Sequence, residues 1–261
     1  MHQESRFRFG RNWAKFLRHV TEEGMARAEA SLIETIGKEG LAGKNFLDIG
    51  SGSGLFSLAA RRLGAKVTSF DYDRDSVQCA QDLKERFYPH DDHWTILQGS
   101  VLDPEFMEQL GRFDVVYAWG VLHHSGDQWK GLARAMAATR PGGTLLVALY
   151  NDQGWLSRYW TTVKWLYMHV PIAQPLLIAF YAPYFIGLRW VVRFFKRQGV
   201  HERGMSLWYD MIDWLGGWPF EVAAPQDVLA RGAEQGFQAV HVKTVGRRQG
   251  CNEFVLVRKP A

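Results

Sequence analysis

Short apolar runs alternate with amphipathic stretches between residues 45 and 150, and this alternation constrains the fold more than any other feature. The apolar runs are Asn45–Gly50, Lys66–Asp71, Trp94–Ser100, Phe113–Gly120 and Thr144–Tyr150. The stretches of helical periodicity are Leu55–Leu63, Arg74–Phe87, Pro104–Leu110 and Gln128–Thr139. Strands and helices that alternate at this spacing predict right-handed crossovers and a parallel α/β sheet.

The predicted sheet continues beyond a long interruption. A helix at Pro225–Gly236 leads into two further strands, Gln238–Val245 and Glu253–Lys259, and their short connection predicts an antiparallel hairpin. Residues 45–150 and 225–261 are therefore expected to form one domain. Residues 1–44 are expected to form a basic, aromatic helical arm that precedes this domain. Trp13 and Phe16 of the arm could fold over a bound ligand or pack against residues 151–224.

Composition narrows the class of protein. Apolar residues make up 47% and charged residues 22% of the 261 residues, which is typical of a globular chain. Two cysteines exclude a disulfide framework or a thiolate zinc cluster. The formal charge of +4 is too mild to indicate a nucleic-acid partner. No apolar leader opens the chain, so we expect a cytoplasmic protein.

A glycine-rich loop joins the first strand to the first helix of the alternation. Its sequence is Gly50-Ser51-Gly52-Ser53-Gly54, with the spacing G-x-G-x-G. The spacing differs from the dinucleotide fingerprint, and no Lys-Ser/Thr pair follows as in a phosphate loop. Asp71 ends the second strand about 20 residues later, where a carboxylate can bind both hydroxyls of a ribose. Ser100 and Val101 end the third strand, beside the position expected for an adenine.

Four ordered motifs identify the chain with a known family. FLDIGSGSGLFSLAA, SFDYD, FDVVYAWGVLHH and RPGGTLLVALY resemble class I S-adenosylmethionine-dependent methyltransferases, and within them the ubiquinone/menaquinone methylase-like group. The resemblance covers 45–150 by motif and 225–259 by topology. It implies a Rossmann-like three-layer sandwich whose seven-stranded sheet has the order 3-2-1-4-5-7-6, with strand 7 antiparallel. It also implies S-adenosylmethionine as cofactor and S-adenosylhomocysteine as product.

The resemblance assigns cofactor-binding roles to residues at the ends of the first two strands. Gly50, Gly52 and Gly54, with Ser51 between them, would pass under the methionine and ribose portions. Asp48 would support the loop and the amino group of the methionine portion. Asp71 would bind the ribose hydroxyls, and Tyr72 would pack on the adenine.

The third and fourth strands supply the remaining cofactor contacts that the resemblance implies. Ser100 stands where many relatives carry an acidic residue that hydrogen-bonds the adenine amine, which weakens that contact. Val101 can supply backbone groups instead. Trp119 and Gly120, at the end of the fourth strand, would lie along the methionine portion.

Methyl transfer requires a general base only when the acceptor must lose a proton. His123 and His124 follow the fourth strand at the mouth of the site, and His124 is the preferred candidate because it lies further along the loop. The alternative is that both histidines hold loop backbone. Asn151 follows the fifth strand and could orient an acceptor or simply form a turn.

The segment 151–224 carries seven of the 11 tryptophans and is predicted to be a helical lid over the acceptor. Within it, Tyr209 and Asp213 could hold an acceptor hydroxyl or amine, or lie on a solvated helix face. Residues 170–192 approach the length of a membrane span. Three prolines and Arg189 interrupt them, and a span would separate strands that share one sheet.

Two interpretations of the insertion remain. Its helices could pack on the sheet or in a homodimer interface. Alternatively, residues 165–197 could contact an anionic membrane surface peripherally, because aromatic residues accompany a basic set. That set comprises Arg158, Lys164, Arg189, Arg193, Lys196 and Arg197.

The sequence therefore predicts a methyltransferase that acts on a small molecule, which could be apolar or lipid-like, and we expect oxygen to accept the methyl group. One alternative is an RNA or protein acceptor, although Trp119-Gly120-Val121-Leu122 stands where an N-P-P-Y-type tetrapeptide would follow the fourth strand. The other is an inactive partner subunit that binds the cofactor. His90, Asp91, Asp92 and His93 cluster on a loop away from the site, so no metal centre is expected.

Overall fold

A computed structural model describes residues 21–37, 41–183 and 207–260, with the backbone alone for 207–210. Its strands are β1 (Asn45–Ile49), β2 (Lys66–Asp71), β3 (Trp94–Gln98), β4 (Phe113–Trp119), β5 (Thr139–Tyr150), β6 (Phe237–Lys243) and β7 (Cys251–Arg258). The helices before the end of β5 are α1 (Glu22–Ile36), α2 (Leu55–Arg62), α3 (Arg74–Phe87), α4 (Pro104–Leu110) and α5 (Gln128–Ala138). The later helices are α6 (Trp155–His169), α7 (Ala173–Ala182), α8 (Leu207–Gly216) and α9 (Pro225–Glu234).

The seven strands form one sheet in the order β3-β2-β1-β4-β5-β7-β6, which confirms the predicted topology. The first five strands run parallel, and β7 runs antiparallel to both β5 and β6. The strand order reverses between β1 and β4. In open α/β sheets such a reversal opens a crevice at the carboxyl ends of the strands, where ligands bind.

Helices cover both faces of the sheet. Successive residues of a strand point to opposite sides, so apolar residues in a row along a central strand contribute to a core on each face. Phe46 of β1 belongs to a core shared with α1, α2 and α3, and its neighbour Leu47 belongs to a core shared with α4, α5 and α9. Both side chains are fully buried. The result is the predicted three-layer sandwich.

The strand boundary that differs most from the sequence prediction is the start of β5. The sequence pattern predicts that a helical stretch ends at Thr139 and that the fifth apolar run begins at Thr144, but β5 already begins at Thr139, which pairs with Phe113. Pairing then resumes between Val115 and Thr144, so four residues bulge out opposite Asp114. An ion pair between Arg140 and Asp114 spans this irregularity.

The helices of the predicted insertion, α6, α7 and α8, pack around an aromatic cluster of their own. Its buried members are Trp160, Val163, Tyr167, Tyr181, Met211, Leu215 and Phe220. Tyr150, the last residue of β5, packs against this cluster. A parallel bridge between Asn151 and Ala223 brings the two ends of the insertion together beside β5. The insertion therefore adjoins the carboxyl end of the sheet.

Across the described ranges, no helix combines the length and the apolar character needed to cross a membrane. The apolar stretch that begins at Val170 contributes the ten-residue helix α7. Trp13 and Phe16 of the predicted arm, and the basic residues from Arg189 to Arg197, lie outside the described residues.

Candidate active site

The glycine loop after β1 adopts a backbone that side chains would oppose. Gly50, Gly52 and Gly54 have φ angles of 69°, 55° and 78°, in the left-handed region that favours glycine. A Cβ on Gly50 would lie 2.1 Å from Cγ2 of Val121, which follows β4. The loop therefore packs directly on the segment that leads from β4 to the two histidines.

Asp71 is joined to the glycine loop by a hydrogen bond. The Gly52 N–H donates to its Oδ2 at 2.9 Å, and the Asp73 N–H donates to its Oδ1 at 2.8 Å. Burial raises the pKa of the Asp71 carboxyl to about 6, although these backbone donors oppose the shift. Carboxylate oxygens can each accept more than one hydrogen bond. Asp71 thus keeps the capacity to bind ribose hydroxyls while it holds the loop.

Asp48 lies buried under the same loop and is linked to α2. The Ser57 hydroxyl donates to its Oδ2 at 2.5 Å. Burial raises the pKa of the Asp48 carboxyl to about 7; the Ser57 hydrogen bond opposes this shift and the charge of Asp71 adds to it. Asp48 therefore supports the loop from below, and its contact with a cofactor amino group stays a prediction.

The surroundings of the loop fit an elongated polar ligand. The Ser51 hydroxyl is buried and has no hydrogen-bond partner among the described residues. A Cβ on Gly120 would meet no atom within 4 Å, so space opens at the end of β4. The Tyr72 side chain is 50% exposed, and Trp119 stacks on Tyr117 with ring centroids 5.7 Å apart. S-adenosylmethionine fits a site that combines the unpartnered Ser51 hydroxyl, glycine backbone without side chains, and the aromatic rings of Tyr72 and Trp119.

Ser100 and Val101 close the turn after β3. The Ser100 hydroxyl accepts a hydrogen bond from the Leu102 N–H at 3.1 Å, and the Val101 carbonyl accepts one from the Arg134 guanidinium at 3.1 Å. Both groups are thereby partly occupied by internal contacts. Their proposed contacts with an adenine stay predictions.

His123 is buried and ties β5 to the end of the insertion. Its Nδ1 accepts a hydrogen bond from the Tyr150 N–H at 3.3 Å, so we assign its proton to Nε2. Its carbonyl accepts from the Glu221 N–H at 3.0 Å. Burial above all, and then the charges of His124 and Lys164, hold the pKa of His123 well below its usual range. This geometry favours a positioning role over a catalytic one.

His124 hydrogen-bonds with its Nδ1 to the Pro219 carbonyl at 2.7 Å. A carbonyl only accepts, so Nδ1 carries the proton and Nε2 is the basic atom. Burial lowers the pKa of His124 to about 3; the Pro219 contact opposes this shift and the charge of Lys164 adds to it. A neutral histidine with so low a pKa is a weak base at neutral pH.

Asn151 is surrounded by the hairpin that connects β6 and β7. Its amide donates to the Gly246 carbonyl at 2.7 Å, and its side-chain oxygen accepts from the amide of Asn252 at 2.9 Å. Asn252 in turn accepts from the Val245 N–H at 3.1 Å. The geometry favours anchoring of the hairpin, and orientation of an acceptor by Asn151 stays a prediction.

Tyr209 and Asp213 on α8, which the sequence suggested could hold an acceptor, differ in what the structure shows. The side chain of Tyr209 lies outside the described residues. The charge of Asp213 acts on the pKa of both Lys164 and Tyr167, which places its carboxylate toward α6. Asp213 is therefore near α6, and its contact with an acceptor stays a prediction.

Sequence reasoning counted Lys164 with the basic residues of the insertion and missed that its side chain is buried. Its side chain is 1% exposed, and its ammonium donates to the Trp214 carbonyl. The nitrogen lies 4.2 Å from the ring centroid of Trp214 and 4.8 Å from that of Phe220. Helical spacing could have indicated this burial, because Lys164 lies on the same face of the helix as the buried residues Trp160, Val163 and Tyr167.

The cluster of His90, Asp91, Asp92 and His93 before β3 makes contacts within the protein that do not involve a metal ion. The Asp91 carboxylate pairs with the Arg61 guanidinium at 2.5 Å and accepts from the His93 N–H at 3.1 Å. Within the described parts of the chain, no three His, Cys, Asp or Glu side chains are grouped so that they could hold a metal ion.

Comparisons with known proteins agree with this geometry. A family model described as a methyltransferase domain matches residues 17–181. The chain is 34% identical over 119 residues to the ubiquinone biosynthesis O-methyltransferase of Methylobacterium sp. (strain 4-46), covering 45% of each protein. It is 33% identical over 117 residues to the protein of that name from Rhodopseudomonas palustris (strain BisB18), covering 45% of this chain and 43% of the relative. The match spans less than half the length of these curated relatives.

Solved structures share the fold at low sequence identity. Magnesium protoporphyrin IX methyltransferase from Synechocystis PCC 6803 with bound SAH matches with a TM-score of 0.55 and 13% identity, over 94% of this chain and 86% of that one. The [4+2]-cyclase SpnF matches with a TM-score of 0.55 and 12% identity, over 90% and 82%. The shared architecture thus occurs in proteins named for different reactions.

The role of Asn151 can be tested by its removal. In Asn151→Ala the Gly246 carbonyl and the Asn252 amide lose their partners, so we expect the free energy of unfolding to fall by about 1–3 kcal/mol. Urea denaturation measures it. Gln153→Ala is the matched control, because that amide makes one exposed hydrogen bond to the same hairpin, and it should cost less than about 0.5 kcal/mol. An Asn151→Ala protein as stable as the wild type would contradict the anchoring role.

The buried carboxyl of Asp48 predicts a pH-dependent stability. Its pKa is raised from 3.8 to about 7, so the folded protein binds a proton in this interval that the unfolded chain releases. The contribution is fully present below pH 3.8 and is lost as the pH rises through about 7. We therefore expect Asp48→Asn to gain stability relative to the wild type as the pH increases across this window. Denaturation series at several pH values test this, with the exposed Asp92→Asn as a charge control; parallel curves for Asp48→Asn and the wild type would refute it.

Proposed function

The chain belongs to the class I S-adenosylmethionine-dependent methyltransferase family, and we propose that it methylates an oxygen atom of a small-molecule acceptor. The observation that carries the cofactor part of this proposal is the hydrogen bond of 2.9 Å between the Gly52 N–H, on the loop after β1, and Asp71 at the end of β2. It couples the loop that would pass under the cofactor to the carboxylate that would bind its ribose.

The chain's own residues supply binding and orientation. The Ser51 hydroxyl and the glycine backbone would hold the methionine and ribose portions, Asp71 the ribose hydroxyls, and Tyr72 the adenine. The bound cofactor supplies an electrophilic methyl group on a sulfonium sulfur. Because the cofactor carries the reactivity, the protein needs mainly to align the acceptor and exclude water.

The insertion supports an acceptor with an apolar ring. A cleft of about 10 Å³, roughly the room for one water molecule, lies where β5, the insertion and the hairpin meet. It is lined in part by Tyr150, Trp160, Trp214 and Phe220, so an acceptor would enter only if these side chains moved apart. Flat aromatic walls of this kind favour a flat, apolar partner. The relatives named as ubiquinone biosynthesis O-methyltransferases support oxygen as the accepting atom.

Two rival functions share this fold. A cofactor-binding partner subunit without transfer activity would keep the same glycine loop, and the [4+2]-cyclase of similar architecture illustrates that the fold does not determine the reaction. An RNA or protein acceptor would require a broad charged surface near the loop. The same assay distinguishes all three.

A transfer assay with methyl-labelled S-adenosylmethionine and fractionated cell extract tests the proposal. We expect label in the small-molecule or lipid fraction. We expect Asp71→Ala to bind S-adenosylhomocysteine about 10–100-fold more weakly in calorimetry, because hydrogen bonds to a charged group are lost. Asp82→Ala, an exposed carboxylate on α3, is the control.

Three outcomes of this assay would contradict parts of the proposal. Label in RNA or protein would overturn the acceptor class. Cofactor binding without label in any fraction would favour the inactive partner subunit. Normal affinity of Asp71→Ala for S-adenosylhomocysteine would remove Asp71 from the cofactor site.

We also propose that α6 and α7 contact an anionic membrane surface peripherally. Several large apolar or aromatic side chains on these helices and their connection are exposed: Trp155, Tyr159, Trp165, Ile172, Leu176 and Phe180. Exposed aromatic and aliphatic groups on neighbouring helices suit the boundary between headgroups and acyl chains. Such a position would bring an apolar acceptor close to the insertion.

Vesicle flotation tests the membrane contact. The wild type should float with phosphatidylglycerol vesicles, and the double variant Leu176→Ser/Phe180→Ser should float less. Val240→Ser, which removes an exposed apolar side chain on β6, is the matched control and should float normally. A wild-type protein that stays unbound, or a wild-type dimer that the double variant dissociates, would favour a homodimer interface instead.

A further inference from the structure

Lys164 carries a buried amine, and its surroundings leave most of the hydrogen-bonding capacity of the protonated form unused. An ammonium has three donors. Among the described residues, one hydrogen bond reaches it, to the Trp214 carbonyl, and two aromatic rings flank it. The charged or titratable groups that face it are Asp213 from α8 and the pair His123 and His124 after β4.

Two buried indole N–H groups lie in the same aromatic cluster. Nε1 of Trp160 and Nε1 of Trp214 have no hydrogen-bond partner among the described residues, and Trp160 is only 7% exposed. Their rings meet edge to face with centroids 5.3 Å apart, and both line the cleft beside Tyr150. Indoles and ammonium groups only donate. A ligand that satisfies them must therefore present hydrogen-bond acceptors, such as negatively charged oxygen.

Gly217 allows Lys164 to approach the turn that carries His123 and His124. A Cβ on Gly217 would lie 3.2 Å from Cε1 of His124 and 3.5 Å from Nζ of Lys164, so both groups flank the same bare backbone. The turn that carries His124 starts after Val121, which packs on Gly50 of the cofactor loop. The lysine thus lies next to the segment that connects to the proposed methyl donor.

Resting on the proposed methyl transfer, we infer that Lys164 accepts the proton of an acidic acceptor hydroxyl and then binds the resulting oxyanion. The acceptor O–H bond breaks, its electron pair stays on oxygen, and a new N–H bond forms at Nζ of the neutral amine. The oxyanion and the ammonium remain as a pair. The favoured acceptor class is an enol- or phenol-type hydroxyl on an apolar ring, because neutral aliphatic alcohols hold their protons too tightly.

Lys164 suits this proton transfer better than either histidine. The Nδ1 atoms of His123 and His124 are both engaged with backbone, and their pKa values lie far below neutrality. Burial lowers the pKa of Lys164 to about 7, while the charge of Asp213 opposes the shift. A base with a pKa near the working pH is the effective one. Once the oxygen carries the methyl group it is neutral, and the ammonium can return its proton to water.

The ionisation of 4-nitrophenol tests this inference without turnover. Only the anion of this probe absorbs visible light, so a titration shows directly whether the protein stabilises it. In the presence of saturating S-adenosylhomocysteine, we expect the wild type to favour the anion about tenfold, which lowers the midpoint pH by about one unit. Lys164→Met should abolish this shift. Lys130→Met, an exposed lysine on α5, should preserve it.

A second variant keeps the test independent of the folding of Lys164→Met. Gly217→Ala adds one methyl group 3.0 Å from the Asp213 carbonyl oxygen, 3.2 Å from the His124 ring and 3.5 Å from Nζ of Lys164. We expect it to weaken the stabilisation of the anion severalfold while circular dichroism stays unchanged. A shift of wild-type size in Gly217→Ala or Lys164→Met would overturn the inference. So would the absence of a shift in wild-type protein that binds S-adenosylhomocysteine. Failure to bind S-adenosylhomocysteine would instead refute the proposed function.

Discussion

A single carboxylate joins the two halves of the proposed cofactor site. Asp71, at the end of β2, accepts a hydrogen bond from the glycine loop after β1, and that loop packs on Val121 after β4. Three neighbouring strands are thereby held in one arrangement at their carboxyl ends. The left-handed conformations of Gly50, Gly52 and Gly54 make this possible, because the approach to Val121 leaves no room for a Cβ at Gly50.

Three titratable side chains near these strand ends are buried, and their hydrogen bonds and neighbouring charges do not offset the loss of water. Asp48, His124 and Lys164 each occupy a position where desolvation disfavours the charged form. Burial therefore raises the pKa of Asp48 to about 7, lowers that of Lys164 to about 7 and lowers that of His124 to about 3. Groups with such shifts concentrate at functional sites. The aromatic cluster of the insertion is the cause for Lys164, because its rings replace water while they supply only weak cation–π attraction.

Local pattern predicted the sheet well, because strand and helix periodicities reflect burial that each segment shows on its own. The hairpin that the spacing predicted is confirmed, and so is the strand order that the family resemblance implied. The start of β5 was wrong, since the bulge at Arg140–Gly143 depends on pairing with β4 and on the ion pair with Asp114. Lys164 was counted with the basic residues of the insertion and its burial was missed, because a count of charges along the chain carries no information about which helix face is covered.

The sequence by itself determined the α/β class, the glycine loop and the carboxylate that serves it, since backbone freedom and strand-end spacing are local properties. Only the tertiary structure decided which contacts the side chains around the proposed acceptor position make. It engaged Asn151 with the hairpin, engaged His123 and His124 with backbone groups, and enclosed Lys164 among Trp214 and Phe220. These outcomes depend on contacts between residues 27 to 95 positions apart, and burial of that kind arises only when the insertion packs against the end of the sheet.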